Sequence, residues 1–333
     1  MLMKSKPFFT VLTVAAISIL LGAGNLNASA EDQSNGKEKI NSQGQTKENS
    51  NQGPQVRLGN PSKTISSDAD QQEYDQQDGG IAGVFVLGSR VFETKVSNTA
   101  NPKVPVPATL NLIKHTGSAM PATHIYSIYW GPSFPMGYAD SVDGFLTGIS
   151  LSSYNSVTTQ YMTSVSVPNV MTFGGRFVDS SAPPSSSPTT ASILAEVYKV
   201  VATNGKQSMD PQGLYMVFTN NVPAKANFCA WHGAGAVGGT TFTIAYQPFL
   251  GTFAGCNANL LINYKLKTNV AVDSVANVAS HEIYETVTDP LLNAWYDSKG
   301  AEIGDKCAWK TATTIAGYSV QTEWDNSTSG CKP

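Results

Sequence analysis

The chain is short of the side chains from which many sites are built. It has four histidines and four cysteines in 333 residues. A histidine that falls in a metal-site setting therefore carries weight. No C-x-x-C pair occurs, which weighs against a zinc site made of all four cysteines. No G-x-S-x-G is present, so a serine α/β-hydrolase is not supported. A phosphate loop and a dinucleotide fingerprint are missing too. Charge is nearly balanced, with 21 Lys and Arg against 24 Asp and Glu. There is no basic block, so nothing points to nucleic acid or to an anionic membrane surface. Beyond the N-terminus no segment is apolar enough to span a bilayer, which argues against stable membrane insertion.

What is present begins with an export signal. Lys4 and Lys6 precede an apolar run from Phe8 to Gly22, and Ala28-Ser29-Ala30 gives a small-x-small cleavage pattern. Residues 1–30 are read as a signal peptide, with an uncleaved anchor as the rival. The expected location is secreted or extracellular, with the periplasm as a variant. In an oxidising compartment four cysteines suggest two disulfides. Of three pairings, sequence order favours Cys229–Cys256 and Cys307–Cys331, which close the shortest loops.

Residues 31–80 form a polar tract with few large apolar side chains. Such a segment cannot bury enough surface to offset its ordering entropy, so it reads as a disordered spacer. A domain over 81–333 follows. Strand patterns are expected at 81–87, 109–114, 125–130, 214–218, 241–246 and 260–264. Helices are expected after Asp140, with Val142, Phe145, Leu146 and Ile149 on one face, and after Thr189 or Thr190, with Ile193, Leu194, Val197 and Val201. Helices interleaved with strands predict an α/β fold, with α+β as the variant, in a single layered domain.

The most informative stretch is Ser280-His-Glu-Ile-Tyr-Glu-Thr-Val-Thr-Asp-Pro290. It predicts a helix from an Asp273 cap to Asp289, which precedes a proline. At about 100° per residue, Val272, Ala276, Ala279, Ile283 and Val287 share one sector, and His281, Glu285 and Thr288 the opposite one. Spacing i, i+4 lets His281 and Glu285 reach one metal ion, with Glu282 beside them as the base that activates bound water. The competing reading is a surface helix with a solvated polar face, since the second His of the common zinc motif is lacking. A third ligand has to come from the segment after the helix, which reads as a hairpin turning at Asp297-Ser-Lys-Gly300. Asp297 is assigned to that turn rather than to the metal. Glu302 and Asp305, an odd number of residues apart, point to opposite faces of a regular strand, so one of the two is expected to bind the ion. His232, in Cys229-Ala-Trp-His-Gly-Ala-Gly235, is read first as part of a disulfide-anchored turn and second as a distal ligand. His115 and His124 are read as structural.

Several stretches together resemble the EXORDIUM-like, or phosphate-induced, protein family. They are Thr123-His-Ile-Tyr-Ser-Ile-Tyr-Trp-Gly131, Phe228-Cys-Ala-Trp-His-Gly233, the H-E-x-x-E-x-x-T-D-P run, Asn293-Ala-Trp-Tyr-Asp297, Glu302-Ile-Gly-Asp-Lys-Cys307, and Trp324-Asp with Cys331. The resemblance covers most of 105–333 in order. It implies a secreted protein of the microbial branch, which retains the His281-Glu282 pair that many plant members lack. It supplies no biochemical activity. With the resemblance added, the expectation is a secreted, zincin-like hydrolase using zinc on extracellular peptides. The alternative is a non-catalytic protein that binds cell-wall or matrix material. Oligomeric state is not readable from the sequence.

Overall fold

The computed structural model describes residues 84–93, 110–162, 167–262 and 264–333, with backbone alone for 84–93. The export signal over 1–30 and the polar spacer over 31–80 lie outside the described residues.

In chain order, strand β1 (Val84–Glu93), the short β2 (Ile113–Lys114) and β3 (Ala122–Trp130) lead into helix α1 (Tyr138–Ser150). Then come β4 (Val170–Asp179), α2 (Thr190–Tyr198), β5 (Gly213–Thr219), β6 (Phe228–Val237) and β7 (Thr240–Gln247). Helix α3 (Val270–Thr288) is followed by β8 (Trp295–Tyr296), β9 (Ala312–Ile315), β10 (Tyr318–Gln321), β11 (Glu323–Asp325) and β12 (Gly330–Lys332). Six strands make the central sheet in the order β1-β6-β7-β5-β3-β4. Strands β4, β3, β5 and β7 are mutually parallel, and β6 runs against both of its neighbours. The fold is therefore α/β with a mostly parallel sheet.

A parallel strand covered on both faces has to be apolar on both, and Gly213-Leu-Tyr-Met-Val-Phe-Thr219 is buried throughout. Its side chains alternate between two cores. Leu214, Met216 and Phe218 join Val142, Phe145, Leu146 and Ile149 of α1 and Val275, Ala276, Ala279 and Ile283 of α3. Tyr215 and Val217 join Ile193, Leu194 and Val197 of α2 on the other face. Burying each large aliphatic side chain contributes about 1.5–3 kcal/mol, so these helical stripes hold the layers together.

Helix α3 departs from expectation in a way that matters. Every residue from Val272 to Thr288 is buried, so the helix is not a surface helix with a solvated polar face. Its aliphatic stripe lies on the sheet, and its polar side is covered by the C-terminal strands, where the Gln321 amide donates to Ser280 Oγ. A helix buried all round normally reads as apolar all round. Here the polar residues are retained inside. The cap is also different: Asn269 Oδ1 accepts from Val272 N. Asp273 sits inside the first turn, where it accepts from Tyr264 Oη and the amides of Lys267 and Thr268. The helix ends before Asp289, as the proline requires.

The remaining expectations are local, some met and some not. Thr189 is the cap of α2, in a reciprocal capping box with Ser192. Asp140 lies in the first turn of α1, which follows Gly137 in the left-handed region, φ 73°. Among the described residues of the expected 109–114 strand, only Ile113–Lys114 pair, with β8. Where the sequence predicts a strand at 260–264, the described residues show the end of a 3₁₀ turn at Leu260 and a single bridge at Ile262. The Gly/Ala-rich 228–237 segment is an interior strand rather than a turn, because two neighbours saturate its backbone and its small residues need no room. Disulfides join Cys229–Cys256 and Cys307–Cys331. Among the described residues no helix is long and apolar enough to cross a membrane.

Candidate metal centre

The site forms where α3, β6, the 302–305 loop and the C-terminal strands meet. Helix α3 supplies His281, Glu282 and Glu285. Strand β6 supplies His232, whose alternation places Trp231 in the α2-side core and His232 towards α3, 3.6 Å from Glu285 Oε2. His232 is thus a member of the site and not merely part of an anchored turn. The sheet positions it because Ala230 and Ala245, in the α3-side core, are small enough to let the helix lie close.

The 301–308 segment does not return as a strand. It turns through residues 303–304 into a 3₁₀ turn at Asp305–Cys307. The rule that residues an odd step apart face opposite ways then no longer applies, and both carboxylates reach the site. Asp305 Oδ1 lies 3.7 Å from His281 Nε2, and Glu302 Oε2 lies 3.3 Å from His232 Nε2. The two acids also brace each other, since the Glu302 amide donates to Asp305 Oδ2 at 3.0 Å. The Asp305 amide donates to Glu285 Oε1 at 3.1 Å. Asp297 stays out, as expected of a turn residue: it accepts from the Lys299 and Ala301 amides and pairs with Lys306 at 3.0 Å.

His281 Nε2 is 2.9 Å from Glu285 Oε1. Its Nδ1 faces the Gln321 side chain, 3.1 Å from the amide nitrogen, which also donates to Gly304 O at 2.9 Å, and 3.4 Å from Oε1. The imidazole turns its Nε2 towards carboxylate oxygens of Glu285 and Asp305. That is the arrangement of ligands around a shared cation, with the outer partner fixing the ring. Burial pushes the His281 pKa down to about 4, outweighing the opposing pull of Asp305 and Gln321. The ring is therefore neutral near pH 7, the form that binds metals. Despite its closeness to Glu285, the contact is not an ion pair.

Ligand atoms fall into two sets, His281–Glu285–Asp305 and His232–Glu282–Glu285, each with all atoms within 4.8 Å of one another. Both contain His and carboxylate donors and no thiolate. Glu282 is fully buried, and neither of its oxygens has a hydrogen-bond partner. Burial, then the neighbouring Glu285, Asp305, Glu302 and Glu323, hold its carboxyl well above the ordinary carboxylate range. Glu323, on β11, is buried and shifted the same way, by burial and then by Glu285. Sequence reading missed Glu323 and its neighbour Gln321. Both lie on the Gln321-Thr-Glu323 alternation, a signal visible only once the strand is known to cover α3. A buried carboxylate with no hydrogen-bond partner, as at Glu282, costs several kcal/mol. Against a net stability of about 5–15 kcal/mol, such a cluster has to hold protons or a cation. The donor set fits a cation.

The remaining histidines are structural. His115 stacks on Tyr296 with centroids 3.6 Å apart, and His124 pairs with Asp210 at 2.5 Å.

No family model matches the chain, and neither a curated protein nor a solved structure does.

Proposed function

We propose that this protein is a secreted, zincin-like metal-dependent hydrolase acting on extracellular peptides, with His281, Glu285 and Asp305 as the ligands of one divalent ion, zinc first. The observation that carries the proposal is the convergence of those three donors beside Glu282, a buried carboxyl with no hydrogen-bond partner. Three protein ligands of this type leave a position for water. The ion's chemistry is to polarise that water and a substrate carbonyl. Glu282 takes the proton of the water, a role that an acid free of protein hydrogen bonds is placed to fill. Asp305, with its side chain about one-third exposed (34 %), is the edge from which the centre meets solvent. The resemblance to the microbial branch of the EXORDIUM-like family supports the secreted setting. It leaves the substrate to the site itself.

A second reading is a non-catalytic protein that binds cell-wall or matrix material around a structural ion. It is favoured by the burial of His232, His281, Glu282 and Glu302, all with no exposed surface. Metal analysis of the purified mature protein, together with hydrolysis of unstructured polypeptides, separates the two. Glu282→Gln is expected to abolish hydrolysis and keep the His281 ion, and His281→Ala to lose both. An ion without hydrolysis favours the binding protein. A metal-free wild type whose properties His281→Ala leaves unchanged excludes the metal centre.

A further inference from the structure

The first ion leaves one donor set unused. His232, Glu282 and Glu285 also bring their ligand atoms within 4.8 Å of one another, and they share only Glu285 with the first set. The two oxygens of Glu285 face different ways: Oε1 towards His281 at 2.9 Å and Oε2 towards His232 at 3.6 Å. A carboxylate so divided offers one oxygen to each donor set, as carboxylates do in two-metal sites whose ions sit about 3.5–4 Å apart. Glu282 adds an independent sign, since both its oxygens are buried without a hydrogen-bond partner while one lies within ligand distance of this set. His232 Nε2 is also 3.3 Å from Glu302 Oε2, a further carboxylate on the same side.

We propose that His232, Glu282 and Glu285 form a second divalent-cation position, and that its occupation inhibits the enzyme by turning the base into a ligand. The proposal rests on the metal-hydrolase reading above. With one ion bound, Glu282 keeps a lone pair for the proton of the water. A second ion engages that lone pair, so the carboxylate no longer accepts the proton. Two cations sharing one carboxylate repel each other, so the second binds about tenfold or more weakly than the first. The protein then works at low free zinc and shuts down when zinc is plentiful.

The test is titration of the metal-stripped mature protein with zinc alone, by calorimetry, with metal analysis at each plateau. The expected result is two ions, one tight and one weaker. His232→Asn is expected to remove the weaker and keep the tight one, and His281→Ala to remove the tight one. Glu282→Gln, which changes charge with little change in shape, should also weaken the second site at least tenfold, which covers the case of a His232 variant that does not fold. One ion in the wild type, lost in His281→Ala and indifferent to His232, overturns the second position and leaves the hydrolase proposal standing. Two ions that both survive His232→Asn and Glu282→Gln place the second elsewhere and overturn it as well. No ion at all removes both proposals.

Discussion

Two clusters of ionisable groups in this fold meet the same difficulty by opposite means. On one side of the sheet, Asp179 and Glu196 converge on Lys199, at 2.6 Å and 2.5 Å. The lysine is 43 % exposed and also lies over the Trp130 ring. That cluster supplies its own cation from the next turn of the chain. On the other side, Glu282 and Glu323 are buried with Glu285, Glu302 and Asp305. Among the described side chains no Lys or Arg pairs with Glu282 or Glu323. Lys306, next to Asp305 in the chain, is committed to Asp297 and to the face of Trp324. A local cluster closes with a protein charge; the assembled one, on the reading proposed above, takes a charge from outside.

The assembled centre also depends on connections that the local one does without. Cys307 is two residues from Asp305 and pairs with Cys331 on β12. Cys229 is three residues from His232 and pairs with Cys256. Each segment that brings a candidate ligand to α3 is thus stapled close by. Replacing Cys307 and Cys331 together with Ser is expected to cost about 3 kcal/mol of stability, from the loop that this bridge closes. It should also weaken zinc binding, because Glu302 and Asp305 lose their tether, while the Asp179–Lys199 pairing stays intact. Urea unfolding and zinc titration of the double variant measure the two effects. Lower stability with unchanged zinc affinity would show that the bridge does not hold the ligands.

A smaller change aimed at one contact sharpens the same contrast. Gly304 has an ordinary helical backbone, φ −76°, so alanine meets no conformational penalty there. Its Cβ would nevertheless fall 2.6 Å from Cγ and Nδ1 of His281. The ring is fixed to a buried helix and to Gln321, so either the imidazole tilts or the Asp305 turn backs away. Gly304→Ala is expected to lower zinc affinity about 10–100-fold, the usual effect of disturbing a ligand's supports. A competition titration against a chromogenic chelator reads it. Affinity within twofold of the wild type would mean that His281 is not a ligand in its present pose.

How much of this was legible in the sequence follows from the range of each signal. The α1 and α2 stripes, the disulfide pairing and the end of α3 at Asp289 rest on neighbours a few residues apart, and they stand. His281 and Glu285 were legible for the same reason, since one helical turn joins them. His232 was not, because glycine-rich sequence suggests a turn unless flanking strands are known to saturate it. Glu302 and Asp305 stand out as candidates in the sequence, but the strand rule for their facing does not hold in a segment that turns at Gly304. Burial of the polar side of α3 depends on β10 and β11, more than thirty residues downstream, and no local pattern announces it.

The smallest expected effect lies in the local cluster, where pH can be used to count its charges. Glu196 is pushed up to about 7, first by burial and then by hydrogen bonding to Asp179, with Lys199 opposing. Its ordinary value is 4.5. The folded protein therefore binds this proton more tightly than the unfolded chain does. The stabilisation is complete below about pH 4.5 and fades as pH rises through 7. Asp179 is shifted the other way, well below its ordinary 3.8, so its contribution changes only in more acid solution and does not enter this window. Glu196→Gln keeps a neutral hydrogen-bonding group and removes the titration. Between pH 5 and 8 the wild type should lose about 1 kcal/mol relative to this variant, a figure reduced for solvent screening around the exposed lysine. Urea midpoints of both proteins at the two pH values give the difference. Equal slopes would mean that Lys199 neutralises both carboxylates throughout, and the cluster with its own cation would then be more complete than its geometry implies. With the metal stripped, the same comparison on Glu323→Gln should give a loss of the same sign, since burial and Glu285 raise that carboxyl as well. Added zinc should shrink that loss, and zinc should leave the Glu196 difference where it was.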